Sequence, residues 1–196
     1  MSKYKALPYK ALPEETLIQE PEFNQYRSVS FSAPALTVMT DLRSTRPLSI
    51  SPTSSIDYAN DKMIACGVRL LFVSNNESQI CGIITATDIL GEKPINYLHD
   101  HGGDRNSILV QDIMTSTSSL DALDYDAVKR CRVGDIVETL QEHGRQHILV
   151  YTSSTAKSNT ICGLFSSTQL ERQTGESINI FPRANTFAEL ELAIAH

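Results

Sequence analysis

A hydroxyl and a carboxylate, Thr85 and Asp88, stand three residues apart where a strand is predicted to run into a helix. Leu70 to Val73 and Gln79 to Ile84 predict the two strands of a hairpin, and Ile89 begins the helix. A carboxylate at this point can accept hydrogen bonds from both hydroxyls of a sugar, and free backbone N–H groups suit a phosphate. The same spacing is that of a capping box, whose side chains merely begin a helix. Both interpretations are open.

The stretch occurs twice, which favours more than a capping role. Cys81-Gly82-Ile83-Ile84-Thr85-Ala86-Thr87-Asp88 returns as Cys162-Gly163-Leu164-Phe165-Ser166-Ser167-Thr168-Gln169. The cysteine, the glycine, the two apolar residues, the hydroxyl and the second threonine recur in register, and only the terminal acid changes, to Gln169. Two such copies predict a pseudo-two-fold pair of β-α-β-β-α repeats packed through their sheets, an α/β fold, because each half-sheet needs a partner to bury its face.

The elements before each copy also repeat. In the first repeat, Pro47 to Pro52 predict a short strand, Thr53 to Ser55 can cap the next helix, and Gly67 ends it. In the second repeat, Gly144 is the counterpart of Gly67, and Ala127 to Arg130 are predicted to occupy the strand-end position of Ile50 to Thr53.

Five segments follow from these patterns. They are an N-terminal arm (1–34), the first repeat (35–98), a linker (99–107), the second repeat (108–175) and a C-terminal extension (176–196) with a short helix predicted at 187–195. The arm is interpreted either as a loose tail or as a segment that docks on the domain or on a second subunit.

Composition limits the classes of function. The chain has 196 residues, a net charge of −6 and a pI near 5.3, which argues weakly against nucleic acid or an anionic membrane as a partner. It has no apolar run of membrane-spanning length and no secretory signal after Met1, so a cytoplasmic protein is expected. The cysteines lack zinc-site spacing, and His99, His101 and Asp104 lie in a predicted loop, so no metal is expected. No hydrolase, metalloprotease or P-loop motif is present, which predicts a protein that is not an enzyme.

Taken together, these residues resemble tandem CBS-domain proteins, whose paired unit is called a Bateman module. The motifs that carry the resemblance are Val38-Met39-Thr40, Ile113-Met114-Thr115, Gly67-Val68-Arg69-Leu70-Leu71 and Gly82-x-x-Thr85-x-x-Asp88. The resemblance covers residues 35 to 175 approximately and is strongest to bacterial proteins made only of such a pair. It implies a regulatory module that binds an adenosyl nucleotide (AMP, ADP, ATP or S-adenosylmethionine) between its repeats and needs no cofactor. It also implies a homodimer, expected here through the helices that contain Met63 and Leu140.

The resemblance further implies a set of site residues. Asp88 would hold the ribose hydroxyls, and Thr85 would contact the phosphate or the ribose edge. The other residues of this cleft would be Ile83, Ile84, Arg69, Ala127, Val128, Lys129, Gln146 and His147. Plainer interpretations remain open for three of them, because Arg69 can be a solvated strand residue, His147 a histidine satisfied by its neighbours, and Lys129 part of an exposed turn.

A second, pseudo-symmetric cleft would use Ser166, Gln169, Ser49, Ile50, Ser51 and Thr53. Gln169 departs from the pattern, because an amide lacks the charge that strengthens a bond to a hydroxyl. The loss is on the order of 1 kcal/mol or more. The sequence therefore predicts one competent cleft around Asp88 and one weak or empty cleft around Gln169.

A second hypothesis is a non-catalytic interaction scaffold. The nucleotide site would then be vestigial, as Gln169 suggests, and the N-terminal arm would contact an unknown protein partner. Deleting the arm and measuring the oligomeric state separates the two hypotheses.

Overall fold

A computed structural model describes residues 7–8, 11–14, 16–17, 28–77, 79–154 and 158–180. The helix predicted at residues 187–195 lies outside this range. The described chain is a mixed α/β fold of two repeats, as predicted. The first repeat comprises a 3-10 helix (Ala35–Thr37), β1 (Thr40–Asp41), β2 (Ser49–Ile50), α1 (Ile56–Cys66), β3 (Leu70–Ser74), β4 (Ile80–Thr85), α2 (Ala86–Leu90) and α3 (Lys93–His101).

The second repeat follows the same order with small additions. It comprises a 3-10 turn (Arg105–Ser107), α4 (Val110–Ile113), β5 (Thr115–Ser116), a 3-10 turn (Thr117–Ser119), β6 (Ala122–Asp124), α5 (Tyr125–Val128), α6 (Val133–Glu142), β7 (His147–Ser154), β8 (Ser158–Ser166) and α7 (Ser167–Thr174).

Helix α1 begins and ends where its sequence predicts. The Ser55 hydroxyl accepts a hydrogen bond from the Tyr58 backbone N–H, and Gly67 ends the helix in the left-handed region at φ 64°. Ile56, Ala59 and Met63, spaced three and four residues apart, are buried on one face of the helix. This face covers the sheet of the first repeat.

Each repeat builds a four-stranded sheet whose edge strand comes from the other repeat. The strand orders are β2-β3-β4-β5 and β1-β8-β7-β6. Strand β5 pairs antiparallel with β4, with Thr115 opposite Ile83, and β1 pairs antiparallel with β8, with Thr40 opposite Leu164. This exchange was not predicted from the sequence, and it makes each repeat depend on the other for a complete sheet.

The exchanged strand β5 explains the first of the two motif glycines. A β-carbon on Gly82 would collide with the backbone oxygen of Thr115, so the backbones of β4 and β5 approach too closely there for any side chain. At Gly163 the space is filled instead by the flexible side chain of Met39. The strand exchange therefore requires glycine at position 82.

Three apolar clusters hold the fold together. Two lie between the helices and the sheet of each repeat, and the third lies between the two sheets. Leu70, Phe72, Ile83 and Leu149 form the buried part of the third cluster. The first-repeat cluster includes Ile108, Val110 and Ile113, which come from the start of the second repeat. The predicted packing through the sheets is therefore present.

Residues 28–35 pack against the second repeat. The Val29 N–H donates to the Gln173 carbonyl, and the carbonyls of Phe31 and Ala33 accept from the backbone N–H groups of Gly134 and Val133. Val29, Phe31 and Ala33 also pack against the core of that repeat. The end of the predicted arm thus docks on the domain.

Two details of the sequence prediction are wrong. Ser49 lies opposite Phe72 and Ala122 lies opposite Leu149, so β6 rather than residues 127–130 is the counterpart of β2. Residues 125–128 instead form α5, an extra helical turn that the alignment of the repeats missed.

The side chains of Met63 and Leu140 are not available as dimer contacts. They are 2% and 0% exposed, because both point into the cores of their own repeats. The outer surface of α1 carries the exposed Tyr58 and Ile64 instead. The expected dimer through these two helices therefore stays a prediction.

Candidate functional site

A cavity of about 320 Å³ opens between the two repeats. The first repeat contributes the turn from α1 into β3 and Thr40, and the second contributes the starts of β7 and α7 and the end of β8. Its lining residues are Thr40, Gly67, Val68, Arg69, Leu70, His147, Leu164, Ser166, Thr168, Gln169 and Arg172. The volume is at the lower end of the range usual for small-molecule sites.

The electrostatics of this cavity favour an anion. Arg69 and Arg172 both line it, and none of its lining residues is acidic. His147 adds no positive charge at neutral pH, because burial and the nearby Arg69 guanidinium lower its pKa from 6.5 to about 4. Two guanidinium groups with an uncharged imidazole suit a phosphate group.

Asp88 lies close enough to this cavity to act on His147. Its carboxylate raises the pKa of His147, against the larger effects of burial and of Arg69. Asp88 is not among the lining residues of the cavity, although its charge acts on His147, which is one of them. Asp88 is itself mostly buried, with 13% of its side chain exposed.

Thr85 and Asp88 form the capping box that their spacing allows. The Asp88 Oδ2 atom accepts from the Thr85 N–H at 2.8 Å and from the Thr85 hydroxyl at 2.7 Å, and the Asp88 N–H donates to Thr85 Oγ1 at 3.2 Å. The Ala86 N–H donates to the Arg69 carbonyl. Since these backbone donors already have acceptors, the start of α2 is a poor phosphate site, unlike the first interpretation of its sequence.

The other oxygen of Asp88 contacts Lys93. Lys93 Nζ lies 2.7 Å from Asp88 Oδ1 and also donates to the Ile113 carbonyl at 3.0 Å and to the Thr115 hydroxyl at 3.3 Å. Sequence analysis missed Lys93, because Gly91 and Pro94 mark its surroundings only as a break between helices.

Gln169, the counterpart of Asp88, makes a different contact. The Thr40 hydroxyl donates to Gln169 Oε1 at 2.8 Å. Only the carbonyl oxygen of the amide is used in this bond, so its NH₂ group can still donate to a ligand. Gln169 is thus positioned by the exchanged strand β1.

Only some of the residues predicted for the Asp88 cleft line the cavity. Arg69 and His147 line the cavity together with Ser166 and Gln169, which were assigned to the second cleft. Ile83 and Ile84 are buried in β4, and Gln146 accepts a hydrogen bond from the Thr87 hydroxyl at 3.3 Å.

The predicted residues of α5 lie elsewhere. Val128 is 1% exposed and packs in the core of the second repeat. Lys129 pairs with Asp126 at 2.6 Å and lies over the Tyr125 ring, and Ala127 donates its N–H to Asp124. None of the three lines the cavity, and their expected position beside a base followed from the shifted alignment of β6.

The residues predicted for the second cleft are also separated. Ser166 and Gln169 line the cavity, whereas Ser49, Ile50, Ser51 and Thr53 are not among its lining residues. Ile50 is buried, the Ser49 carbonyl accepts from Lys62, and the hydroxyls of Ser51 and Thr53 lie 3.0 Å apart.

Sequence analysis missed Arg172. It follows Gln169 by about one helical turn on α7, so the two side chains share a face of that helix. The pattern could have been found by extending the search one turn beyond the motif.

The histidines of α3 make local contacts. His99 Nδ1 lies 3.0 Å from an Asp100 oxygen, and His101 stacks on Tyr97. Among the residues that the structure covers, no three metal-ligating side chains gather at one point. In the same part of the chain, no helix has the length and apolar character needed to cross a membrane.

Comparisons with known proteins identify the fold. The CBS domain family matches residues 38–94. A search of curated proteins finds no significant match. Among solved structures, an uncharacterized conserved protein from Pyrococcus horikoshii shares 23% identity at a TM-score of 0.53, over 77% of this chain and 98% of that one.

Two further structures have the same architecture. CBSX2, a CBS-pair protein of Arabidopsis thaliana, was solved in complex with AMP and shares 17% identity at a TM-score of 0.50, over 71% of this chain and 94% of that one. The CBS domain protein NE2398 shares 22% identity at a TM-score of 0.51, over 74% of this chain and 99% of that one. At these identities the likeness establishes the fold.

Proposed function

Since the chain carries a CBS domain at residues 38–94 and has the fold of a CBS pair, we propose that it is a regulatory module that senses an adenosyl nucleotide. AMP, ADP, ATP and S-adenosylmethionine are the candidate ligands. The single observation that carries the proposal is the arginine-lined cavity between the repeats, which has no acidic lining residue. The AMP complex of CBSX2, a protein of the same fold, supports it.

In this proposal the two halves of the ligand contact different residues. Arg69 and Arg172 bind the phosphate groups of a nucleotide, because both residues line the cavity. Asp88 accepts hydrogen bonds from the ribose hydroxyls, and the Gln169 amide donates to a ligand oxygen. The neutral His147 lies between the phosphate and ribose positions.

The module performs no chemistry of its own in this proposal. Binding changes the relative stability of two arrangements of the repeats, or of a homodimer, and a protein partner in the cytoplasm responds to the change. A carboxylate that accepts from ribose hydroxyls and arginines that neutralise phosphate supply affinity without a nucleophile or general base.

Calorimetric titration with AMP, ADP, ATP and S-adenosylmethionine tests the proposal. We expect micromolar binding of at least one ligand to the wild-type protein, and binding about ten-fold weaker or more in Arg69→Ala and Arg172→Ala, because each removes a charge-assisted bond to a nucleotide phosphate or to the carboxylate of S-adenosylmethionine. Arg145→Ala is the matched control, since Arg145 belongs to the second repeat and pairs with Asp121. Failure of all four ligands to bind the wild type contradicts the proposal.

The structure reduces the part of the arm that could bind a partner in the scaffold hypothesis. Residues 28–35 pack on the second repeat, so this part of the arm acts in folding. A partner-binding role would then belong to residues before 28. A protein partner that is retained after deletion of residues 1–27 would remove this alternative.

A further inference from the structure

The Asp88 carboxylate has nearly all of its acceptor positions filled. A carboxylate offers about four acceptor sites. The N–H and hydroxyl of Thr85 both bond to Oδ2, and the Lys93 ammonium contacts Oδ1 at 2.7 Å. A sugar diol needs two acceptor positions, and this arrangement leaves too few while Lys93 stays in place.

The pseudo-symmetric position shows what Lys93 adds. Beside the sheet of the second repeat, Thr40 of the exchanged strand β1 bonds directly to Gln169. Beside the sheet of the first repeat, the matched residues are Thr115 of the exchanged strand β5 and Asp88, and the Lys93 ammonium contacts both of them. Lys93 thus takes the position in which a ligand hydroxyl would meet the carboxylate.

The same ammonium connects the two repeats. Lys93 is the first residue of α3, whereas Ile113 ends α4 and Thr115 lies on the exchanged strand β5. Its bonds to the Ile113 carbonyl and the Thr115 hydroxyl therefore join the first repeat to the strand that completes its sheet. A ligand that removed Lys93 from Asp88 would also loosen this connection.

We propose that Lys93 determines access to Asp88 and couples its occupancy to the contact between the repeats. The ribose hydroxyls of a bound nucleotide exchange with the ammonium at Oδ1, and Lys93 then leaves Ile113 and Thr115. This inference rests on the proposed function for its ligand, but the ion pair that it invokes belongs to the free protein.

Titration with AMP compares the wild type with Lys93→Met, which keeps an unbranched apolar stem and removes the competing charge. The pair is partly exposed, with 44% of the Lys93 side chain accessible. Solvent screening therefore limits the expected gain to a Kd about three- to five-fold lower in the variant. Lys62→Met is the matched control, because Lys62 donates to the Ser49 carbonyl and makes the same charge change. Equal or weaker binding by Lys93→Met than by the control overturns the proposal.

A second measurement needs no nucleotide. Urea unfolding of the wild type, Lys93→Met, Asp88→Asn and the double variant forms a double-mutant cycle, in which we expect a coupling of about two- to five-fold in the unfolding equilibrium constant. Hydrogen exchange at residues 113–116 should quicken in Lys93→Met. If the stability effects of the two substitutions are additive and hydrogen exchange at residues 113–116 is unchanged, the proposed connection of Lys93 to Asp88 and β5 is wrong. A coupled pair together with no binding of AMP, ADP, ATP or S-adenosylmethionine by any variant instead contradicts the proposed function alone.

Discussion

His147 shows how one buried residue makes the fold sensitive to pH. Its pKa falls to about 4 in the folded protein, mainly through burial and then through Arg69. In the unfolded chain an ordinary histidine ionises near pH 6.5. Between these two values the unfolded state binds more protons, so the free energy of unfolding decreases as the pH falls.

Replacing His147 by leucine, the residue at the matched position Leu70, should remove this dependence. Between pH 7 and pH 4, we expect the free energy of unfolding of the wild type to fall by up to about 3 kcal/mol more than that of the variant. The reason is that the variant lacks the histidine whose pKa is lowered on folding. Urea unfolding at several pH values measures the difference.

His99→Gln is the control for this pH series, since 86% of the His99 side chain is exposed. It should keep the pH dependence of the wild type. Parallel stability curves for the wild type and His147→Leu would show that His147 does not titrate as stated.

The strand exchange decides which piece of the chain forms a stable unit. The sheet β2-β3-β4-β5 is continuous in sequence from residue 49 to residue 116, although it crosses the boundary between the sequence repeats. Ile108, Val110 and Ile113, which precede β5, fill the core of the first repeat. The structural unit is therefore shifted along the chain relative to the sequence repeat.

A fragment of residues 46–119 should accordingly fold better than a fragment of residues 35–98. The first contains the complete sheet and the core residues Ile108, Val110 and Ile113, whereas the second lacks these residues and β5 and carries β1 without its partner β8. Each buried aliphatic side chain contributes about 1.5–3 kcal/mol to the free energy of unfolding. The loss of Ile108, Val110 and Ile113 should therefore leave the second fragment much less stable than the first. Circular dichroism and urea unfolding measure the difference, and equal stability of the two fragments would contradict it.

At the scale of the whole molecule, residues 28–34 act as part of the second repeat. They supply backbone acceptors to the start of α6 and apolar side chains to the core. Ile108, at the start of the second repeat, plays the matching part for α1, because its carbonyl accepts from the Ile56 N–H. Each helix start is thus completed by the segment that leads into the exchanged strand of the other repeat.

Two truncations test this role. Compared with deletion of residues 1–27, deletion of residues 1–34 should lower the free energy of unfolding by about 2–4 kcal/mol, because Val29 and Phe31 leave the core and two backbone donors lose their partners. Thermal and urea unfolding of both variants measure the difference. Equal stability would show that the docked segment contributes nothing to the fold.

The sequence by itself determined the features that depend on neighbouring residues. The duplication, the hairpins, the cap at Ser55, the left-handed Gly67 and the Thr85–Asp88 capping box all follow from local periodicity and hydrogen bonding. The resemblance of these motifs to a CBS pair predicted the fold correctly. The extra turn α5 was missed, because helical and strand-end patterns of this length look alike.

Only the tertiary structure decided how the candidate site is divided. Arg69 lies in one cavity with His147, Gln169 and Arg172, and Thr115 meets the Lys93 ammonium, because the packing of the repeats and the exchange of β1 and β5 bring together residues far apart in sequence. Such contacts depend on strand order and register, and local patterns carry no information about either. The physical reason is that a side chain at the interface between the repeats makes its contacts with residues of the other repeat, and these residues are not its neighbours in sequence.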